Sequence, residues 1–481
     1  MRRSSTGSVS EAMRRECTLH GVSAAVLCLA FLLPGCSSSS QAPRPTWPQV
    51  TLNARDRLLI LAPHPDDEVL GCGGVIQKAV AMGLPVQVVF FTHGDNNQWS
   101  FFVYRKHPVV APGAVRRMGL IRHDEAVAAD HLLGLSPGHL AFLGYPDFGT
   151  LSIWQAHWGD RPAFRSMLTH VTEVPYQNAF RPGAPYKGEE ILRDLTTIMR
   201  AFKPTKIFVS HPGDYMPDHA ALYLFTRVAL WELEPDMAPE VYPYLIHFKQ
   251  WPRPRGFQSA RFLEPPSRFR EQIQWQEYRL TPNELERERQ AIQAHRTQYG
   301  SSARYLSSFI RPNELFGEFP LVRLTSGSAP AMAAVGRSGD GTEPPEELTD
   351  EERAKFVGVE ERRMWLEDSR LVLSVRYSRP LAEAVGLSLF VFGYRADRPF
   401  AQMPKLHLKM GALIQTVLDQ DRPMPNAGIT IARQPTQAII RIPLAVLGNP
   451  QRILTSARTY LGDVPLDWTS WRTLELAENQ E

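Results

Sequence analysis

Hydrophobic and polar positions follow two different periods along the chain. Arg57–Ala62 (RLLILA), Val86–Thr92 (VQVVFFT) and Thr205–Ser210 (TKIFVS) are short, nearly continuous apolar runs, the pattern of strands buried on both faces. Between them, helical spacing covers Val69–Met82, stopped by Gly83, then Leu120–Leu133, Ile191–Phe202 and Asp218–Leu233. Leu140–Leu143 reads as a further short strand. Strands alternating with helices predict an α/β class: a Rossmann-like, mostly parallel sheet covered on both faces. Two irregular stretches, about 93–119 and 148–187, interrupt it, and loops of that length usually carry function. Both are rich in Trp, Tyr, Phe, His and Arg; the aromatics of 99–104 and 154–186 suit either packing or platforms for sugar rings.

The period changes toward the C-terminus. Leu280–His295 is a charged helix that reads as a solvated face. Residues 325–352 are small, Gly/Pro-rich and acidic at the end, the composition of a linker. Short strand-like runs follow at Arg370–Tyr377, Leu387–Tyr394, Gly428–Arg433, Ala438–Pro443 and Tyr460–Gly462, broken by Gly, Pro and Asp. They predict a β-sandwich over 353–481, in style akin to carbohydrate-binding modules.

The first residues read as an address. Arg14 and Arg15 precede an apolar run from Val22 to Leu33, too short to span a bilayer, and Leu33-Pro34-Gly35-Cys36 ends it. This resembles a bacterial lipoprotein signal over 1–36, with Cys36 as the lipidated residue and a Ser/Pro-rich tether over 37–54. Ser37 at the next position favours outer-membrane sorting, so the expected location is the cell envelope, lipid-anchored. Of the 4 cysteines, Cys17 and Cys28 fall within the leader and Cys72 alone stays free, which excludes a disulfide framework. The net charge of +3 is too even for a nucleic-acid binder, and 43 % hydrophobic with 21 % charged residues excludes wholesale disorder.

Candidate chemistry sits at two strand ends. His64-Pro65-Asp66-Asp67-Glu68 follows the first strand, and His211-Pro212-Gly213-Asp214-Tyr215-Met216-Pro217-Asp218-His219 follows the strand at 205–210. Ligands of open α/β sheets bind outside the carboxyl ends of strands. Two strand ends carrying His and Asp can meet on one metal, and a His/carboxylate/His set with an open position is a catalytic zinc arrangement. Glu68 fits a first-turn helix-dipole role, and Cys72 a small buried helix residue.

The segment His64-Pro65-Asp66-Asp67-Glu68 resembles the signature of the PIG-L/LmbE family of zinc-dependent N-acetylglucosamine deacetylases. The resemblance covers about 55–324 and includes Arg122-His123-Asp124-Glu125-Ala126, Leu133-Gly134, Tyr244-Leu245-Ile246-His247 and Trp251-Pro252. It implies that His64, Asp67 and His219 bind Zn2+, that Asp66 is the general base, that Asp218 orients a histidine, and that Arg122 contacts substrate. Met216 stands where the family pattern has a second histidine assisting the oxyanion, and a thioether donates no hydrogen bond. His211, Asp214 or His247 are the candidates to replace it, His211 as a catalytic and His247 as a substrate-binding group. The implied function is removal of N-acetyl groups from an N-acetylglucosamine-type glycan or glycoconjugate in the cell envelope. The alternatives are a non-catalytic glycan-binding lipoprotein, which Met216 favours and Asp66 opposes, and an amidase of the same family acting on a non-glycan conjugate.

Overall fold

Each buried apolar run becomes a strand of one seven-stranded sheet in the computed structural model, which describes residues 46–96, 111–327, 329–333, 348–382, 384–411, 415–425, 428–462 and 464–477. The leader, Cys36, the first half of the tether and the aromatics of 99–104 lie outside the described residues. The strands are β1 (Leu58–Ala62), β2 (Val86–Thr92), β3 (Leu140–Tyr145), β4 (Lys206–Ser210), β5 (Glu240–Tyr244), β6 (Gln274–Arg279) and β7 (Asn313–Glu318). Their order is β3-β2-β1-β4-β5-β7-β6, with the first five parallel and β7 antiparallel to both its neighbours. All five residues of β1 are buried, as a central parallel strand requires.

The helices are α1 (Asp67–Ala81), α2 (Pro112–Leu132), α3 (Thr150–Ala156), α4 (Gly188–Phe202), α5 (Pro217–Leu233), α6 (Pro282–Ala294) and α7 (Arg296–Leu306). Leu58 and Ile60 of β1 pack with α1, α2 and α6, whereas Leu59 and Leu61 pack with α3, α4 and α5. The chain runs outward from β1 through β2 to β3 on one side and from β4 to β5 on the other. The carboxyl ends of β1 and β4 therefore flank the switch point where a crevice opens. Among the described residues no helix is long and apolar enough to cross a membrane.

Several elements depart from the sequence reading. The helix expected to present a solvated face, α6, buries Glu288, Ala291 and Ile292. Helix α3 opens the stretch expected to be irregular, and it places Trp154 in the core with Trp158 just beyond it, both fully buried and unable to serve as sugar platforms. Strand β6 escaped notice because its sequence, QWQEYR, is mostly polar, as an edge strand tolerates.

The C-terminal region forms two further sheets. One has five strands, in the order Thr430–Gln434, Gln437–Pro443, Arg370–Tyr377, Val359–Glu367 and Ala331–Ala333. The other has eight, among them Val385–Tyr394, Lys405–Met410, Arg452–Leu461, Arg472–Leu476 and Val322–Leu324. The sheets reach back across the expected boundary at 325, since Val322–Leu324 and Ala331–Ala333 are strands of each. Three-residue strands carry no legible period, which is why that segment reads as linker. One apolar cluster lies between the two sheets. A second surface of the larger sheet, with Phe390, Phe392, Tyr394, Phe400 and Trp471, joins the core of α3, α4 and α5.

Candidate metal centre

The loop after β1 turns sharply at Asp66, whose backbone has φ 128° and ψ −27°. A non-glycine residue there is strained, and such strain persists where the surroundings hold it. Asp66 occupies the N-cap of α1 without making a side-chain cap hydrogen bond, so its carboxylate is not spent on the helix. The turn sends the two neighbouring carboxylates apart. Asp67 faces His64, while Asp66 faces Arg122 at 3.5 Å. Burial pushes the Asp66 carboxyl up to about 7, against the pull of the Arg122 guanidinium. Arg122 is itself fixed by donating to Gly94 O at 2.9 Å and Pro65 O at 2.6 Å. Gly94, with φ +62°, has no side chain to block that guanidinium.

The loop after β4 supplies the partner. Pro217 starts α5, and His219 in its first turn is fully buried. Three acceptor atoms now meet: His64 Nδ1 to Asp67 Oδ2 is 3.2 Å, His219 Nε2 to Asp67 Oδ2 is 3.1 Å, and His219 Nε2 to His64 Nδ1 is 3.3 Å. A tetrahedral ion with bonds of about 2.0–2.1 Å has ligand–ligand edges of roughly 3.3–3.4 Å. The far nitrogens of both rings face carboxylates: His64 Nε2 lies 3.1 Å from Asp147 and 3.2 Å from Asp218, and His219 Nδ1 lies 3.0 Å from Asp214. When each ring carries its single proton on that outer nitrogen, both imidazoles present a lone pair inward, toward each other and toward a carboxylate. Three buried acceptors converging without a donor is a donor set that fits a divalent cation. His64 Nε2 also converges with Asp147 and Asp218. That second group is a support, because Asp218 already accepts from the Phe148 and Thr150 N–H groups and the Thr150 hydroxyl.

A cavity of about 480 Å³ opens over this triangle, lined among others by Asp66, Arg122, Phe148, Met216, His247 and Tyr305. His247 thus reaches the site, its ring edge-on to His219 with centroids 4.8 Å apart and its Nδ1 3.2 Å from the Tyr305 hydroxyl. Tyr305 O–H donates to Ile246 O at 2.9 Å, which leaves its oxygen to accept from Nδ1–H of His247. Burial holds His247 down to about 4, so the ring is neutral.

His211 does not reach the cavity. It is buried behind β4, its ring 5.9 Å from Trp275 and near Phe269 and Phe319. Its Nδ1 accepts from Gly213 N–H, and burial lowers it to about 3. The catalytic role expected for His211 is therefore replaced by a structural one: an aromatic cradle draws a neutral imidazole inward. Asp214 is likewise occupied, accepting from the N–H groups of Met216, Ile246 and His247 while facing His219. Met216 lines the cavity and offers no hydrogen. Glu68 does more than complement the helix dipole, since its carboxylate lies 3.2 Å from His295 Nε2 in full burial.

Sequence reasoning passed over Asp147, which sits two residues beyond the end of β3. Its position after a strand end was the signal, the same one that marked His64 and His211.

Residues 59–230 match the family model described as PIG-L: GlcNAc-PI de-N-acetylase. The 1D-myo-inositol 2-acetamido-2-deoxy-alpha-D-glucopyranoside deacetylase of Actinosynnema mirum is 30% identical over 188 residues, covering 38% of this chain and 57% of the relative. The enzyme of the same description from Mycobacterium sp. (strain KMS) is 29% identical over 177 residues, covering 36% and 50%. The chain spans about half the length of the curated relatives it matches. Among solved structures, the A40926 pseudoaglycone deacetylase Dbv21 is 16% identical with a TM-score of 0.35, covering 55% of this chain and 97% of that one. N,N'-diacetylchitobiose deacetylase from Pyrococcus horikoshii is 19% identical with a TM-score of 0.32, covering 50% and 70%.

Proposed function

Residues 59–230 match the PIG-L family model, and from that premise we propose that the chain is a zinc-dependent hydrolase removing the N-acetyl group of an amino sugar. The observation that carries this reading is the convergence of His64 Nδ1, Asp67 Oδ2 and His219 Nε2 beside the carboxylate of Asp66, which makes no cap hydrogen bond. His64, Asp67 and His219 would hold a zinc ion, which would supply Lewis-acid polarisation of the acyl carbonyl and lower the pKa of water. Asp66 takes the proton of the attacking water and returns it to the departing amine nitrogen. Arg122 keeps Asp66 aimed at the cavity. Asp147, Asp218 and Asp214 hold the outer nitrogens of the two histidines. The two curated relatives are described as acting on a 2-acetamido-2-deoxy glucopyranoside, which supports an N-acetylglucosamine-type glycan or glycoconjugate as substrate.

A screen of acetylated amino sugars that reads released acetate tests the activity. Purified protein that releases none, with zinc bound, leaves the non-catalytic glycan-binding reading that Met216 favours. The metal is tested separately. His64→Ala, Asp67→Ala and His219→Ala are each expected to lose stoichiometric zinc by elemental analysis, and full retention in all three removes the assignment.

The address is part of the same proposal. Cys36, lipidated after cleavage, would tether the protein to a membrane of the cell envelope, where glycan substrates lie. Cys36→Ser is expected to abolish lipid labelling and to accumulate precursor. Unchanged processing and membrane fractionation of that variant would remove the anchor.

A further inference from the structure

Two of the three carboxylates that face the outer nitrogens of His64 and His219 share a feature of sequence that only the fold makes visible. Asp147 lies 3.1 Å from His64 Nε2 and is followed by Phe148. Asp214 lies 3.0 Å from His219 Nδ1 and is followed by Tyr215. Four large aromatics are well exposed among the described residues: Phe148 at 47%, Phe180 at 42%, Tyr215 at 47% and Phe257 at 54%. Two of the four are these immediate neighbours. Phe148 lines the cavity, and Tyr215 is exposed beside His247, which lines it too.

Both rings are held there. Phe148 has φ 59°, a strained value for a residue with a side chain, and its N–H donates to Asp218 Oδ2 at 2.6 Å. Its ring lines the cavity over the ligand triangle. Tyr215 donates its N–H to His247 O at 3.2 Å and stands edge-on to the His247 ring, centroids 5.9 Å apart.

We propose that Phe148 and Tyr215 form an aromatic clamp for the pyranose ring whose amide enters the metal centre. The C–H face of a pyranose is apolar and suits the face of an aromatic ring, while its hydroxyls stay free for Asn96, Arg122 and Gln298 along the same cavity. The clamp makes these two residues determinants of specificity for cyclic amino sugars over acyclic amides. This inference rests on the deacetylase reading above.

The test compares N,N'-diacetylchitobiose with N-acetylethanolamine as probes. Phe148→Ala and Tyr215→Ala are each expected to raise KM for the sugar about tenfold, with kcat and zinc content unchanged. Phe148→Trp is expected to stay close to the wild type, and rates on the acyclic amide are expected to move little in any variant. An unchanged KM for the sugar, or an equal loss on both probes, overturns the clamp while leaving the deacetylase reading standing. Wild-type protein that releases no acetate sinks that reading instead. Saturation-transfer NMR with N-acetylglucosamine then decides the clamp by itself. Ring-proton contacts present in the wild type and lost in Phe148→Ala sustain it; contacts absent from the wild type, or the same in both, overturn it.

Discussion

Asp66→Asn is expected to lower deacetylation by about 10²–10⁴-fold while zinc stays bound at full stoichiometry. The argument is one of separable roles. Asp66 contributes no atom to the triangle of His64, Asp67 and His219, and it makes no cap hydrogen bond to α1. Among its charged neighbours, Arg122 retains its bonds to Gly94 O and Pro65 O when the carboxylate becomes an amide. Asn is also among the residues that tolerate positive φ, so the strained turn survives. What is lost is the ability to accept a proton from water. The folded protein should lose no stability, because a buried carboxylate crowded by Asp67 and Glu68 becomes neutral. Elemental analysis, a thermal melt and acetate release, run on one preparation, check all three statements. Near-normal turnover with zinc bound removes Asp66 from the mechanism; loss of zinc shows that it belongs to the metal site instead.

The convergence of His64, Asp67 and His219 was legible because these residues follow strands whose apolar runs admit only one placement. A central parallel strand such as Leu58–Ala62 is buried on both faces, and whatever polar residue follows it must stand at the carboxyl edge of the sheet. The supporting carboxylates were less legible. Asp147 reaches His64 across 83 residues of chain, and no spacing relates a supporting group to the ligand it holds. His211 misled for the same reason that His64 did not. Position after a strand puts a side chain at the sheet edge without saying which way it turns, and Trp275, Phe269 and Phe319 turn this one inward.

The attachment of the C-terminal sheets had a signal of its own. All ten residues of Val385–Tyr394 are buried. Antiparallel strands with one wet face alternate apolar and polar, yet this one reads VGLSLFVFGY almost without interruption. Leu387, Leu389 and Val391 fill the space between the two C-terminal sheets, whereas Phe390, Phe392 and Tyr394 point the other way into the core beneath α3, α4 and α5. An uninterrupted apolar strand in an antiparallel sheet was thus a statement that something covers its second face.

That shared core sets the other large effect. Phe400 is 1% exposed, its ring 5.2 Å from that of Trp154 and 5.0 Å from that of Trp158. Phe400→Ala is expected to cost about 3–5 kcal/mol, the range for a buried aromatic whose cavity cannot collapse. The loss should fall on the whole chain, since the cluster it interrupts runs from Leu59 in β1 to Leu454 and Trp471 in the C-terminal sheet. It should also reach the metal. Trp471 N–H donates to Pro212 O at 3.1 Å, and a side chain at Gly213 would meet Ser470 and Phe269, so the loop leading to Asp214 and His219 is pressed against the C-terminal sheet. Denaturant unfolding followed by circular dichroism and by zinc release should therefore give coincident transitions, both shifted to lower denaturant in Phe400→Ala. On the proposed reading zinc binds the assembled triangle, so excess zinc is expected to move both transitions upward together. A melt in which the C-terminal sheets unfold first, while zinc remains bound to a protein that has lost them, would show two independent modules and overturn the shared core as the support of the site.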